Sequence, residues 1–425
     1  MTLALVARPH VIIVGAGLAG PALASALAGQ GIRSTVLERH STPQNIGGVI
    51  LVAPNAMRVL DKQVGIEPRL RAAGCTYDAI DIYTEGSGSL NRVGGFMTTN
   101  GNVRGLTIAR PVLQNLLLDR CQEYDDGRIT IRYSSRLARI QEDKDAVTAV
   151  LEDGTEIKGD ILIGADGIGS LVRQHILGET PVQPKYSGAV SLGSVLRRDQ
   201  VQLPATMQLP AFFYTRSGTI LLFAMDDDTI QWATTSPVPD RDRHSWQAYR
   251  ESGQAIAQLQ ADWGHVTIEP IASLVRNTNN ENIRLWAPYE MPVLPRWHTA
   301  RTCVLGDAAH AIPPSMGQGA AQAFEDVGVL SRLLSEYKPT STSTSTSFES
   351  TFAQFEALRR PRVDMIRKMT AKAESSRGAT SSNLGWYVKN TVIRGAFMMF
   401  GKGKECYMNG GEVTGYDANA IDVQV

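Results

Sequence analysis

Apolar residues fall along this chain in three textures. The first is a short continuous apolar run, His10–Val14, of the kind a strand buried on both faces shows. It passes through Gly15-Ala-Gly17-Leu-Ala-Gly20 into the small, helix-prone segment Ala22–Ala28, and Ser34–Leu37 predicts a second buried strand ending in Glu38-Arg39. Strand, helix and strand in that order make a βαβ unit. Arg110–Arg120 predicts a helix with Val112, Leu113, Leu116 and Leu117 on its packed face. Ile129–Tyr133, Val147–Leu151 and Ile161–Ile163 predict further strands, with a turn at Glu152-Asp-Gly154.

The second texture runs from about Ser187 to Ile283. Strand-like pieces at Ala211–Tyr214, Thr219–Met225 and Ile230–Thr234 are separated by turn signals at Ser217-Gly218 and Asp226–Asp228, which predicts a largely antiparallel second domain. The third is helical. Thr302–Leu305 reads again as a buried strand and meets Gly306-Asp307, and helices are predicted over Ala320–Glu336 and Phe352–Lys372. Between them Lys338–Ser347 is a polar Ser/Thr repeat, expected to be a flexible surface loop. The stretch 381–400 is apolar in patches and is expected to cap a pocket or a subunit contact.

Composition narrows the function classes. With 42 Lys+Arg and 42 Asp+Glu in 425 residues the net charge is zero, so there is no electrostatic case for a nucleic-acid or anionic-membrane partner. A 43% hydrophobic, 20% charged chain is globular, and its length suggests two or three domains. Cys75, Cys121, Cys303 and Cys406 form no CxxC pair, so a zinc ribbon or redox dithiol is not expected, and no metal site is. No apolar run reaches the roughly 18 residues of a membrane span, and the start lacks a secretion-signal pattern, so the expectation is a cytoplasmic protein.

The chemistry sits in the glycine clusters. Gly15-x-Gly17-x-x-Gly20 lies between a strand and a helix: Gly15 permits the tight turn, Gly17 lets a pyrophosphate approach the backbone, and Gly20 lets helix and strand pack closely. The helix N-terminus then offers N–H groups to phosphate. Glu38 stands close to the offset of about 20 residues at which a ribose-binding acid is expected. A second segment runs Gly306-Asp307-Ala-Ala-His310 and on to Pro313-Pro314-Ser315-Met316-Gly317-Gln318-Gly319-Ala320. A strand delivers Asp307 at its C-terminal end, where doubly wound folds bind ligands, and the loop opens a helix suited to an anionic ring. A third segment is Gly164-Ala-Asp166-Gly167-Ile-Gly-Ser170 with Arg173. Asp166 there is equally a turn former and helix cap, Arg110 is alternatively a helix-start ion pair, and His310 is expected to support its loop rather than act as a base.

In their order and spacing these segments resemble the single-component (class A) FAD-dependent monooxygenases of the para-hydroxybenzoate hydroxylase fold. The resemblance is strongest to the salicylate-hydroxylase-like branch and its fungal secondary-metabolism members, and Ile46-Gly-Gly-Val-Ile50 with Pro54-Asn55-Ala56 also looks like that branch's loop near the flavin. It implies an α/β protein with a Rossmann-like FAD-binding domain, an inserted, largely antiparallel substrate domain and C-terminal helices. The division would be 1–186 with a substrate-domain excursion at about 76–105, 187–283 for the substrate domain, 284–337 back in the FAD domain, 338–350 as the flexible loop and 351–425 as C-terminal helices. It also implies FAD held by Gly15, Gly17, Gly20, Glu38, Arg39, Gly48, Arg110, Asp166, Asp307, Gly317, Gly319 and Ala320, with NAD(P)H as a transient co-substrate, O2, and one oxygen atom inserted by hydroxylation or epoxidation into an aromatic or polycyclic small molecule. The substrate side departs from the family. Several relatives carry an arginine where Gly193 stands here, and Tyr214 and Arg216 are the nearest polar candidates for positioning a substrate. Phe212, Phe213, Met225 and Trp232 are read as core before pocket. A dehydrogenase or reductase of the same fold and a non-catalytic flavin-binding module are the alternatives, and the oligomeric state stays open.

Overall fold

A computed structural model describes residues 8–97, 103–337, 348–375, 377–380, 382–400, 407–409 and 411–423. The Ser/Thr repeat expected as a loop therefore lies outside the described residues. The apolar runs assemble into a five-stranded parallel sheet in the order Thr302–Val304, Ile161–Gly164, His10–Val14, Arg33–Leu37, Ile129–Arg132. Val11, Ile12 and Ile13 are fully buried, as continuous apolar strands require when helices cover both faces. The helix Ala19–Gly29 is buried along most of its length, so its small residues are what let it sit between the sheet and its neighbours. The helix Arg110–Gln122 packs through Leu113, Leu117, Leu118 and Cys121, whereas Val112 is exposed. The packed face is thus rotated from the predicted one, because Gln114 also turns inward to donate to Ala16 O at 2.7 Å.

An eight-stranded sheet runs in the order Ile283–Trp286, Ala189–Arg197, Thr229–Pro237, Gly218–Ala224, Ala211–Thr215, Ala79–Glu85, Leu90–Met97, Tyr407–Asn409. Its hairpins are antiparallel, but Ala211–Thr215 pairs with Ala79–Glu85 in parallel, as does Tyr407–Asn409 with Leu90–Met97. The sheet extends past Ile283 to Trp286, and the same stretch of chain carries helices at Arg243–Glu251, Gln254–Trp263 and Ile271–Arg276 that the strand-rich reading omitted. These helices cover the outer face, where Phe213, Ile220, Leu222, Ile230 and Trp232 pack on Leu259, Trp263, Ile271 and Leu274.

The alternation of a strand sends the intervening residues to the opposite, inner face. There Ile82, Phe212 and Phe223 cluster with Val49 and Leu51 from the strand Val49–Val52, and with Ile393 and Phe397 from the helix Asn383–Phe400. The apolar stretch 381–400 therefore closes one side of this inner face through Phe397, while Leu384, Tyr387 and Val392 on its other side are exposed. Among the described residues no helix is long and apolar enough to cross a membrane.

Candidate cofactor and substrate site

At the C-terminal ends of the parallel strands three loops converge. Gly15 takes φ +109°, and a Cβ there would lie 2.5 Å from Ala165 O, so only glycine lets the first loop pass the 164–170 loop. At Gly20 a Cβ would meet Gly15 O at 1.9 Å, which fixes the close helix–loop packing. Gly17 differs from both: a Cβ there meets only Arg110 Nη2, at 3.9 Å, so the space in front of it is open. The helix that follows has no side-chain cap, which leaves its first N–H groups to a ligand.

Around that space the polar groups line a slot. The Glu38 carboxylate accepts from Ala16 N and from His40 N, both at 2.9 Å. Gln114 Oε1 is buried without a partner. Arg110 donates to Ile46 O at 3.1 Å. Burial lowers the Arg110 pKa, and the negative charges of Asp307 and Glu38 work the other way, so the three groups lie within electrostatic reach of one another. Asp307 is exposed to the slot but ringed by protein; loss of water raises its pKa, against His310 and Arg110, with Asp326 adding to the rise. Gly317 takes φ +62°, Gly319 opens the helix Gly319–Glu336 with no side-chain cap, and a Cβ at Gly319 would meet nothing within 4 Å. Ala320 follows in the first turn. A flavin adenine dinucleotide fits this donor set: an uncapped helix and open glycine for a pyrophosphate, a carboxylate beside a ribose position, an orphaned amide oxygen, and a second helix N-terminus for an anionic ring.

Arg39 is exposed and its Nε donates to His40 Nε2 at 3.2 Å, to the side of these groups. Asp166 is a helix cap in the observed bonding: its Oδ2 accepts from Leu171 N at 2.8 Å and Val172 N at 3.3 Å. Its Oδ1 is buried without a partner, and burial raises its pKa, opposed by hydrogen bonds from Ser170 and the helix amides. Gly48 is pressed against the second sheet. A Cβ there would lie 2.4 Å from Gln231 Oε1, which accepts from Val49 N at 2.8 Å. Arg284 donates to Gly47 O at 3.2 Å. Gln231 and Arg284 were not legible beforehand, because nothing in their own neighbourhoods in the sequence marks them.

Behind the 306–319 loop lies a buried ion network. Asp326 accepts from Gly306 N at 2.8 Å and from Arg359 Nε at 2.7 Å, and lies 2.6 Å from His310 Nε2. Burial alone would raise the Asp326 pKa; His310 and Arg359 outweigh it and hold it below the usual carboxylate range. Glu325 accepts from Arg359 at 2.7 Å, Arg362 at 2.9 Å and Asn55 at 2.6 Å. His310, 2% exposed and tilted against the Trp297 ring at 5.3 Å, braces the loop from behind.

The two substrate-side candidates separate. Tyr214 is half-buried on the inner face beside Phe212, in the cluster that reaches Val49 and Leu51. Arg216 sits on the exposed hairpin turn; its Nη1 donates to Asn383 Oδ1 at 2.6 Å and its backbone N to Glu85 Oε2 at 2.8 Å. Phe212 faces the inner cluster, whereas Phe213 and Trp232 are core on the outer face. At Gly193 a Cβ would lie 2.0 Å from Trp232 O, so no side chain fits there.

Residues 8–350 match the family described as FAD binding domain. The chain is 30% identical over 375 residues to FAD-dependent monooxygenase penM of Penicillium crustosum, covering 84% of this chain and 77% of that protein. It is 28% identical over 334 residues to 6-hydroxynicotinate 3-monooxygenase of Bordetella bronchiseptica, covering 77% and 83%. Among solved structures, Klebsiella pneumoniae HpxO complexed with FAD and uric acid superposes with a TM-score of 0.74 at 22% identity over 93% of this chain and 94% of that one, a likeness of fold.

Proposed function

Since this chain belongs to the FAD binding domain family and is an FAD-dependent monooxygenase that uses NAD(P)H, we propose that the slot among its three loops holds FAD without a covalent bond, and that the inner face of the eight-stranded sheet receives an aromatic or polycyclic, electron-rich small molecule. In this reading residues 1–186 and 284–337 form the cofactor unit and 187–283, with the excursion near 76–105, the substrate unit. Gly15, Gly17, Gly20 and the first helix hold the pyrophosphate; Glu38 and Arg39 face the adenosine; Arg110 and Asp307 face the ribityl–phosphate middle; Gly48, Gly317, Gly319 and Ala320 surround the ring, and Asp166, capping the helix Leu171–Leu177, keeps the 164–170 loop against Gly15.

Bound FAD supplies the acceptor for hydride from NAD(P)H and the centre at which O2 is activated. The chain's own residues bind, orient and exclude water. Uncapped N–H groups at Gly319 and Ala320 stabilise negative charge on the ring edge. Ile82, Phe212, Phe223 and Phe397 make an apolar wall that keeps water from the reacting atoms. The observation that carries the reading is the convergence of the open Gly17 loop, Arg110, Asp307 and the uncapped 319–336 helix on one slot, flanked by an apolar sheet face through Val49 and Leu51. The names of relatives acting on 6-hydroxynicotinate and 3-hydroxybenzoate support hydroxylation of an aromatic ring, and the Penicillium crustosum relative supports a place in secondary metabolism.

The experiment is substrate-linked oxygen consumption. Hydroxylated aromatics are screened for those that accelerate flavin reduction by NAD(P)H, and the product is analysed after turnover under isotope-labelled O2. One labelled oxygen atom in the product is expected. Product oxidised or reduced without label would assign the chain to the dehydrogenase class instead.

A further inference from the structure

We infer that Arg377, in the turn between the helices Glu349–Ser375 and Asn383–Phe400, is a substrate-recognition residue whose guanidinium binds an acidic oxygen, a phenolate or enolate, on the aromatic ring to be oxygenated. The inference rests on the reading of the inner face as the substrate pocket.

Its position is the first reason. The Arg377 guanidinium donates through Nη2 to Ser315 O, in the turn that leads to Gly317 and Gly319. Its carbon lies 5.4 Å over the ring of Phe212, a member of the inner-face cluster. Tyr214, on the same face, is an electrostatic neighbour. Arg377 therefore spans the gap between the proposed ring-binding turn and the sheet. Its backbone is pinned on both sides: Arg377 O accepts from Thr219 Oγ1 at 3.2 Å, and Arg377 N donates to Glu374 O at 3.0 Å. A guanidinium anchored in this way is held in place before any ligand arrives, which reduces the ordering cost of binding.

Its unmet bonding is the second reason. Arg377 is 9% exposed and its Nε is buried without a partner. Among the described residues no carboxylate lies within ion-pair distance of it. Arg359, fully buried, meets two. Burial lowers the Arg377 pKa; the Tyr214 hydroxyl, which also hydrogen-bonds the guanidinium, and the more distant Glu374 carboxylate act the other way. A buried cation is costly unless paired and hydrogen-bonded, so an anionic ligand oxygen is the partner this site lacks.

The chemistry of the surroundings sets the ligand class. A planar fork beside two aromatic rings suits a flat ring carrying one anionic oxygen. Binding a phenol as its phenolate releases its proton to solvent and raises electron density on the ring carbons that receive oxygen. On the neighbouring strand no side chain can supply this cation at Gly193, where a Cβ would lie 2.0 Å from Trp232 O. Arg377 supplies the cation from outside the matched residues 8–350.

The test uses the FAD-loaded enzyme and 4-nitrophenol as probe, at a pH below the probe's own pKa. FAD content is measured first; a wild-type protein that holds no flavin refutes the cofactor reading and not this one. Wild type is expected to bind the probe and bring up its visible phenolate band. Arg377→Met should keep FAD, lose the band and bind about ten- to a hundredfold more weakly, and Arg377→Lys should retain the band with reduced affinity. Equal affinity and an equal band in Arg377→Met, failure of wild type to bind the phenolate form, or joint loss of FAD and probe in Arg377→Met (which would make the side chain a strut for the Ser315 turn) each overturns the proposal.

Discussion

Two glycines of one motif should fail in opposite ways. At Gly20 a Cβ would stand 1.9 Å from Gly15 O, against a contact distance of roughly 3.5 Å. Gly20→Ala must therefore open the helix–loop junction by about 1.6 Å of backbone movement. Forcing a methyl into packed surroundings costs about 1–3 kcal/mol, or roughly 1–3 °C in the melting temperature of the flavin-free protein. At Gly17 a Cβ meets only a flexible guanidinium nitrogen at 3.9 Å, and no left-handed φ is demanded. Gly17→Val should leave the flavin-free protein within about a degree of wild type, since nothing in the fold resists it. It would nevertheless fill the place the pyrophosphate needs. Losing two charge-assisted bonds at about 1.5–3 kcal/mol each lowers FAD affinity by about a hundredfold to ten-thousandfold. Differential scanning fluorimetry on flavin-free protein reads the first quantity, and flavin fluorescence during titration reads the second. If Gly17→Val unfolds as readily as Gly20→Ala, or binds FAD like wild type, the slot is not where the pyrophosphate sits.

Asp307→Asn should weaken FAD retention about tenfold or more. The same change should not destabilise the flavin-free protein at neutral pH: a carboxyl whose folded pKa is raised loses stability as pH rises through its unfolded value, so removing its charge is neutral or favourable, and a lower melting temperature would contradict this. Glu142 behaves in the opposite sense. Burial works against its ionisation, but hydrogen bonds from His175, Thr299, Thr302 and Arg301 N bring its pKa down to about 2, so its contribution is present above the ordinary carboxylate range and lost as pH falls toward that value; Glu142→Gln should flatten acid unfolding in that window, and an unchanged profile refutes it. Arg359→Met removes the guanidinium shared by Glu325 and Asp326, both fully buried, and should cost about 3–5 kcal/mol, measured as a lower denaturant midpoint with the slope unchanged. Arg216→Ala breaks the bond to Asn383 and should loosen the C-terminal helix, read as faster amide exchange over 383–400, with FAD content as in wild type.

The cofactor half of this protein was legible in the sequence because its chemistry is local. In the proposed reading phosphate and flavin are met largely by backbone at strand–helix junctions, so the residues assigned to them are contiguous: Gly15 to Gly20, Gly164 to Ser170, Gly306 to Ala320. The apolar runs that form the parallel sheet were equally plain, since a strand buried on both faces needs no partner to be recognised. Alternation alone could not say which face of Ala211–Thr215 looks inward. Only packing against the helices 243–276 sent Phe213 to the core, and left Phe212 and Tyr214 beside Val49. The helix Arg110–Gln122 turned the same way: the reach of Gln114 to Ala16 O, not the spacing of its leucines, decided its packed face. Asp166 could be read as cap or ligand, and the distances to Leu171 and Val172 show the cap. Gln231, Arg284 and Arg377 carry no local signal. Each acts on a loop far away in the chain, at Val49, Gly47 and Ser315. A side chain's environment at that separation is set by how two sheets and a C-terminal helix dock, and docking is a property of the whole folded chain.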